Sequence, residues 1–356
     1  MTNPATTPMT DPMATRSRTR ARAFALTSAA LLGAALLTGC GNGSSSVGSD
    51  GKTTVSVGIS GNIFDLSIRL AEQNGYFDQR NIKVKYVTLT AATGTSALQS
   101  GSVQFLNDSP TNFLAALSKG LPQLAVGTNG GGNPLGLVVS ADFAKKHDLT
   151  ADSPADTVAG ALADSTAGAS SANTKAEAGL FLKAHDVDPT KLKWVSLPSP
   201  AADKAALTKG EIDWFVTSEP IPLQVQHDGD GVVVADPLKV PQWAYEDAGY
   251  GQLVVVKKSY ANSDADTVKG FATAVQQATA YIAAHPTDAK VLSAAQTTMP
   301  GAPDDVLKSS IAQVEWPKSD ELTDAGLNKT VAFVKSIGAV PDAKVSSDDW
   351  TNKYLP

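Results

Sequence analysis

The sequence predicts an α/β protein made of two halves, each a mostly parallel sheet flanked by helices. Two observations carry that expectation. From Val55 onward, short apolar runs of strand character alternate with segments of helical periodicity, the order that builds parallel sheets covered on both faces. An Ala-Leu-x-x-Gly segment followed by a strand pattern then recurs in the second half of the chain, as two similar α/β units would require. With 356 residues, 42% of them hydrophobic, the chain is long enough to bury the core of one large or two ordinary domains.

The N-terminus is read first, because it is not expected to belong to the fold. Arg16, Arg18, Arg20 and Arg22 form a positive region, and Ala23 to Leu37 is an apolar run of about fifteen residues, short for a membrane span and suited to an export signal. The run ends in Leu37-Thr38-Gly39-Cys40, which resembles the lipobox of bacterial lipoproteins. Cys40 is the only cysteine, and lipidation accounts for a lone thiol in an exported chain. Residues 1–40 are therefore expected to be a lipoprotein signal peptide, with Met13 an alternative start, and 41–51 a flexible Gly/Ser tether.

The body follows in order. Val55–Ile59 reads as a strand, Ile63 to Leu70 as a helix stopped at Asn74-Gly75, and Ile82–Leu89 as a second strand. Ser96–Ser100 is expected to be a short helix capped by Gly101, Val103–Leu106 a strand, and Asn112–Lys119 a helix. Leu124–Val126 and Leu135–Val139 are further strands, joined by a Gly130-Gly131-Gly132 loop. A second set runs from Ala141. It holds a helix over Thr174–His185, with Thr174 and Glu177 as a capping box, and strands at Leu192–Ser196, Ile212–Val216 and Gly231–Ala235. After a strand at Leu253–Val256, the remainder is helical. The internal echo aligns Ala97–Ser109 with Ala206–Ser218, and in both a polar loop opens at the C-terminal end of the strand, where ligands of open α/β sheets bind.

Several function classes are excluded. A net charge of −6 offers no basic field for nucleic acid. His147, His185, His227 and His285 are scattered, with no metal-ligand spacing, and no Gly-x-Ser-x-Gly elbow or phosphate loop is present. Neither catalysis, a metal nor a cofactor is expected; an enzyme on this scaffold would have only Glu219 and Asp108 as candidate titratable groups.

Three segments carry a resemblance to a known family: Leu70-Ala71-Glu72-Gln73-Asn74-Gly75-Tyr76-Phe77-Asp78 with Ile82-Lys83-Val84, the Ala-Leu-x-x-Gly pair ending in Ser218-Glu219-Pro220, and the terminal Asp348-Asp349-Trp350-Thr351-Asn352-Lys353-Tyr354-Leu355-Pro356. Together they resemble the solute-binding proteins of the sulfonate, taurine, nitrate and thiamine-precursor importers. The resemblance implies a two-lobed, type II periplasmic-binding-protein-like fold with a ligand cleft between the lobes. With the chain crossing near Val138–Ala141 and Tyr250–Val254, lobe one is expected to be 52–139 plus 251–356 and lobe two 140–250. It also implies capture of a small organic solute, an aliphatic sulfonate or taurine-like anion first. The expected partners are an ABC permease and ATPase, and the expected state is a monomer, lipid-anchored on the extracytoplasmic face. Alternatives are a thiamine-precursor pyrimidine or other heterocycle, or an exported sensor without an importer.

The candidate ligand contacts lie in loops after strands: Ser60 and Asn62, Thr95, Ser109 and Asn129 in lobe one, and Ser171, Asn173, Thr174, Ser218 and Glu219 in lobe two. Trp243 and Tyr250, near the second crossing, could stack on an apolar ligand part. Helix N-termini after Asn62, Thr95, Ser109 and Thr174 would offer N–H groups to an anion, which matters because only Arg69 and Arg80 remain beyond residue 22. Glu177 and Glu219 would repel an anion and keep a neutral or cationic ligand open.

Overall fold

The computed structural model describes residues 46–49 and 51–356, so the expected signal peptide and Cys40 lie outside the described residues. In chain order the elements are β1 (Ser46–Val47), β2 (Thr53–Ile59), α1 (Leu66–Gln73), β3 (Ile82–Thr88), α2 (Ala91–Ser100), β4 (Phe105–Asp108), α3 (Pro110–Ser118) and β5 (Gln123–Gly131). There follow β6 (Leu135–Ser140), α4 (Ala141–Lys146), α5 (Ala155–Leu162), β7 (Thr166–Ala169), α6 (Ala172–Ala184), β8 (Lys193–Ser196), α7 (Pro200–Thr208), β9 (Trp214–Ser218), α8 (Ile221–His227) and β10 (Gly231–Ala235). Then come α9 (Tyr245–Ala248), β11 (Tyr250–Lys257), α10 (Lys258–Ser263), α11 (Ala265–Ala284), α12 (Ala289–Thr298), α13 (Asp304–Ala312) and α14 (Asp324–Ser336).

Two sheets form. The first has the order β1-β2-β4-β11-β5 with β3 also on β2, and the second the order β10-β6-β9-β7-β8. Each sheet is mixed. A parallel set, β3-β2-β4 or β8-β7-β9, is extended by antiparallel strands. The antiparallel part has a topological cause: the chain leaves the first sheet through β5, enters the second as β6, and returns as β11, which must insert between β4 and β5 in the opposite direction. Because β6 already pairs in the second sheet from Leu135, the first passage between sheets lies at 132–134, ahead of the expected Val138–Ala141. β1 pairs with Thr53 and Thr54, so part of the expected tether is strand.

Both sheets are covered on both faces, as strand alternation requires. In β4, Phe105 points into the cluster formed with α1, α11 and α12, whereas Leu106 points into the one formed with α2, α3 and α14. Phe105 stacks on Phe271 at 3.8 Å between ring centroids, and Phe271 on Phe77 at 5.1 Å. In β6, Leu137 and Val139 face α4, α5 and α6, whereas Val138 faces α7 and α8.

The sequence echo is a structural repeat. Both copies end their helix with a left-handed glycine, Gly101 at φ 79° and Gly210 at φ 71°, a conformation only glycine adopts freely. The strands then enter their sheets alike. Gln104 N–H donates to the Ser56 carbonyl, while its side-chain Oε1 accepts from Ser56 N–H at 2.8 Å. Asp213 N–H donates to the Thr166 carbonyl, while its Oδ2 accepts from Thr166 N–H at 2.7 Å. Leu89 N–H reaches the Ile59 carbonyl, and Leu197 N–H the Ala169 carbonyl. The ends of β2 and β7, and of β4 and β9, are therefore equivalent places in the two halves.

Several local expectations are corrected. β5 runs through Thr128, Asn129, Gly130 and Gly131, so these are strand residues rather than a loop. The glycines are needed there because rings lie flat on the strand: a Cβ on Gly130 would collide with Phe64, and one on Gly131 would lie 2.6 Å from Tyr245 Cδ2. Helix α2 begins at Ala91 rather than Ser96, since Thr90 and Thr93 form its capping box.

Candidate functional site

The C-terminal ends of the parallel strands bring several of the expected residues together. Ser60 and Asn62 follow β2 and Ser109 follows β4, its parallel neighbour. Ser171 follows β7, and Ser218 ends β9, the parallel neighbour in the other sheet. Ser60 is exposed, and Asn62, Ser109, Ser171, Asn173, Thr174 and Ser218 are half-buried.

Several of the N–H groups that an anion would use are already bonded. Asn62 Oδ1 accepts from Phe64 N–H, and Asp65 Oδ2 accepts from Gly61 N–H at 2.6 Å and Asn62 N–H at 3.2 Å. Ser109 caps α3 by accepting from Asn112 N–H, and Asp108 Oδ1 accepts from Ser109 N–H at 3.0 Å. Ser171 Oγ accepts from Thr174 N–H, while Thr174 Oγ1 accepts from Ser171 N–H. This reciprocal pair replaces the expected Thr174–Glu177 box, because α6 starts at Ala172 and puts Thr174 at its third position. Thr95 lies inside α2 and caps nothing. Ser199 caps α7 by accepting from Ala202 N–H. Each of these helix starts has one of its N–H groups taken by a side chain of its own.

Three expected contacts are core residues. Trp243 is fully buried, its ring 6.1 Å from Phe181 in the second sheet's core. Tyr250 is buried against Gly326, and its hydroxyl accepts from Thr323 N–H at 2.9 Å. Both residues are packed into a core. Asn129 is fully buried in a polar network: its Nδ2 donates to the Phe64 carbonyl, Ser67 Oγ and Asn107 Oδ1, and Asn107 Nδ2 donates to Asp65 Oδ1 at 2.7 Å. This network fixes the loop after β2 to the ends of β4 and β5.

Asp108 Oδ2, Asn129 Oδ1, Asn173 Oδ1, Glu177 Oε2 and Glu219 Oε1 are buried acceptors without a hydrogen-bond partner, and neither oxygen of Asp203 has a well-formed one. Asp203 packs on Gly168 at the end of β7. Burial pushes Asp108 up to about 7, against the bonds from Asn112 and Ser109. It pushes Glu177 up to about 8, partly offset by Asn173, and Asp203 to about 6, partly offset by Ser170. Glu219 is pushed by burial up to about 8; its other oxygen accepts from Leu223 N–H at the start of α8. Asp65 is raised to about 6 by burial, against the bonds it accepts. Asp65, Asn107, Glu177 and Asp203 were not among the expected contacts; apart from the warning that Glu177 would repel an anion, nothing local in the sequence marks them, since their neighbours come from distant segments.

A cavity of about 100 Å³ is lined by Thr128, Gly130, Tyr245, Tyr250, Glu315 and Glu321 among others. Among the described residues no cluster of His, Cys, Asp or Glu is spaced to hold a metal ion, and no helix is long and apolar enough to cross a membrane.

The NMT1/THI5-like family model matches residues 66–289, more than half of the chain. No curated protein matches the sequence. Solved structures of similar fold include the alkanesulfonate-binding protein SsuA from Xanthomonas axonopodis pv. citri bound to MOPS, at 18% identity and TM-score 0.65 over 84% of this chain and 98% of that one. The periplasmic nitrate-binding protein NrtA from Synechocystis PCC 6803 is similar at 14% identity and TM-score 0.65, covering 84% of each chain. The ligand-binding component of an ABC-type import system from Staphylococcus aureus, with zinc bound, is similar at 14% identity and TM-score 0.66 over 85% of this chain and 97% of that one.

Proposed function

Since this chain belongs to the NMT1/THI5-like family, we propose that it is the extracytoplasmic solute-binding component of an ABC importer, and not an enzyme. The observation that carries the reading is the repeat: two equivalent sets of strand ends, one per sheet, joined by a chain that passes twice between the sheets, at 132–134 and 236–249. That arrangement suits a cleft that closes on a solute, with each lobe supplying half of the contacts. Lobe one comprises 52–131 and 250–356 and lobe two 135–235, a refinement of the boundaries expected from the sequence. A signal peptide removed ahead of a lipidated Cys40 would hold the monomeric protein at the outer face of the membrane, beside a permease and its ATPase.

Ligand drives closure only through contacts it makes better in the closed state. The closed form is then what the permease recognises. Proteins of similar fold include an alkanesulfonate-binding and a nitrate-binding protein, which supports a small polar solute. The experiment is a pair of measurements: solute uptake by cells with and without the gene, and small-angle scattering of the protein across a library of small solutes. Loss of uptake of one solute, with compaction by that same solute, is the expected result. Compaction without any uptake defect would favour an exported sensor.

A further inference from the structure

We infer that the cleft is built for an organic cation that donates hydrogen bonds, such as a protonated amine, amidinium or guanidinium group, rather than for a sulfonate or nitrate. The inference rests on the solute-binding reading and names the ligand class of that same site. It comes from counting donors and acceptors at the strand ends. On the donor side, N–H groups of Gly61, Asn62, Ser109, Asn112, Ser171 and Thr174 are each bonded to a side chain of the protein itself. An anion using those six groups would have to displace bonds already made. On the acceptor side, Asp108 Oδ2 at the end of β4, Glu177 Oε2 on α6 after β7, and both oxygens of Asp203 over the end of β7 lack good partners. These three side chains are 4%, 3% and 0% exposed.

Unpartnered acceptors buried to this degree are costly and uncommon unless something external completes them. Asp108 belongs to the strand ends of the first sheet, and Glu177 and Asp203 to those of the second. Among the described residues no lysine or arginine is hydrogen-bonded or ion-paired to Asp108, Glu177 or Asp203. A cation with several N–H groups would supply the missing donors and neutralise the carboxylates together. The raised values of Asp108 and Glu177 add a consequence. A cation binds their ionised forms, so binding near neutral pH expels protons, whereas an anion would draw protons in.

The test uses the purified full-length chain. Methylguanidinium, benzamidine, 1,4-diaminobutane and choline are compared with methanesulfonate, benzenesulfonate and nitrate, by thermal shift and by calorimetry at pH 7 in two buffers of different ionisation enthalpy. At least one cation is expected to raise the melting temperature and to release protons on binding. Its affinity should fall tenfold or more in Asp108→Asn; Glu177→Gln serves as a second variant should the first fail to fold. A shift with a sulfonate or nitrate and none with a cation overturns the inference while leaving a solute-binding protein. Cation binding that is unchanged in both variants, or that takes up protons, also overturns it. If no compound of either kind shifts the protein, the cation assignment falls, and the solute-binding reading is decided by the uptake experiment.

Discussion

Glu177 is the sharpest place to test the electrostatics. Its side chain is 3% exposed on α6, Oε2 has no partner, and burial raises it to about 8 from an ordinary 4.5. It is therefore largely protonated in the folded protein at neutral pH and ionised in the unfolded chain. For a carboxyl raised on folding, the unfolded state binds fewer protons, so its contribution is full below the unfolded value and is lost as pH rises through the folded value. At about 1.4 kcal/mol per unit, the interval from 4.5 to about 8 corresponds to at most about 5 kcal/mol of stability lost between pH 4 and pH 9. Rotation toward water would reduce that, leaving on the order of 2–5 kcal/mol. Glu177→Gln keeps the shape and cannot ionise. Urea unfolding of both proteins at pH 5, 7 and 9 should give similar midpoints at pH 5 and a variant that is clearly the more stable at pH 9. Parallel curves across the range would refute the burial argument, because they would mean that Glu177 ionises in the folded state as freely as in water.

Two further outcomes follow from the passages between sheets. Gly131→Ala places a Cβ 2.6 Å from Tyr245 Cδ2 and 3.2 Å from its Cγ, so it should destabilise by about 1–3 kcal/mol through overpacking, read as a lower urea midpoint; an unchanged midpoint would mean that the Tyr245 ring is free to move. His227 on α8 lies 3.1 Å from Asp305 on α13, joining the two lobes by a pair that is charged only when the histidine is protonated. Asp305→Asn should therefore enlarge the radius of gyration, measured by small-angle scattering without ligand; an unchanged radius would show that the pair does not bias the lobes.

The repeat was legible because it is written in local sequence. Ala-Leu-x-x-Gly forces a helix end and a left-handed glycine in each half, and the strand that follows docks on a parallel neighbour in the same way. The matched side-chain bonds of Gln104 and Asp213 to that neighbour were not legible, since a glutamine and an aspartate play one part at equivalent positions. The passage at 132–134 is not legible because Leu135–Val139 reads as a strand of either sheet; only its pairing with β9 assigns it. Trp243 and Tyr250 show the same limit for a site. An aromatic residue beside a crossing suits ligand stacking and core packing equally in sequence, and the structure spends both on the core.

The polar residues divide along a similar line. Ser, Thr and Asn before helices read as caps or as ligand contacts, and which of the two holds depends on whether the N–H two or three residues on is free. At Asn62, Ser109, Ser171 and Ser199 it is not. The sequence argument for an anion rested on those same N–H groups, so its support weakens once each cap is formed by a neighbour a few residues away. Asp65 deepens the effect, because Asn107, 42 residues later, holds it where it takes the N–H groups of Gly61 and Asn62 from any incoming ligand. The side-chain atoms left unsatisfied include carboxyl oxygens of Asp108, Glu177, Asp203 and Glu219. A buried carboxyl without a donor is tolerable in the protonated form, and it becomes a binding group when a cation arrives with both charge and N–H bonds. Ligand class in this scaffold is therefore set less by which polar residues sit at the strand ends than by which of their atoms the fold has already used.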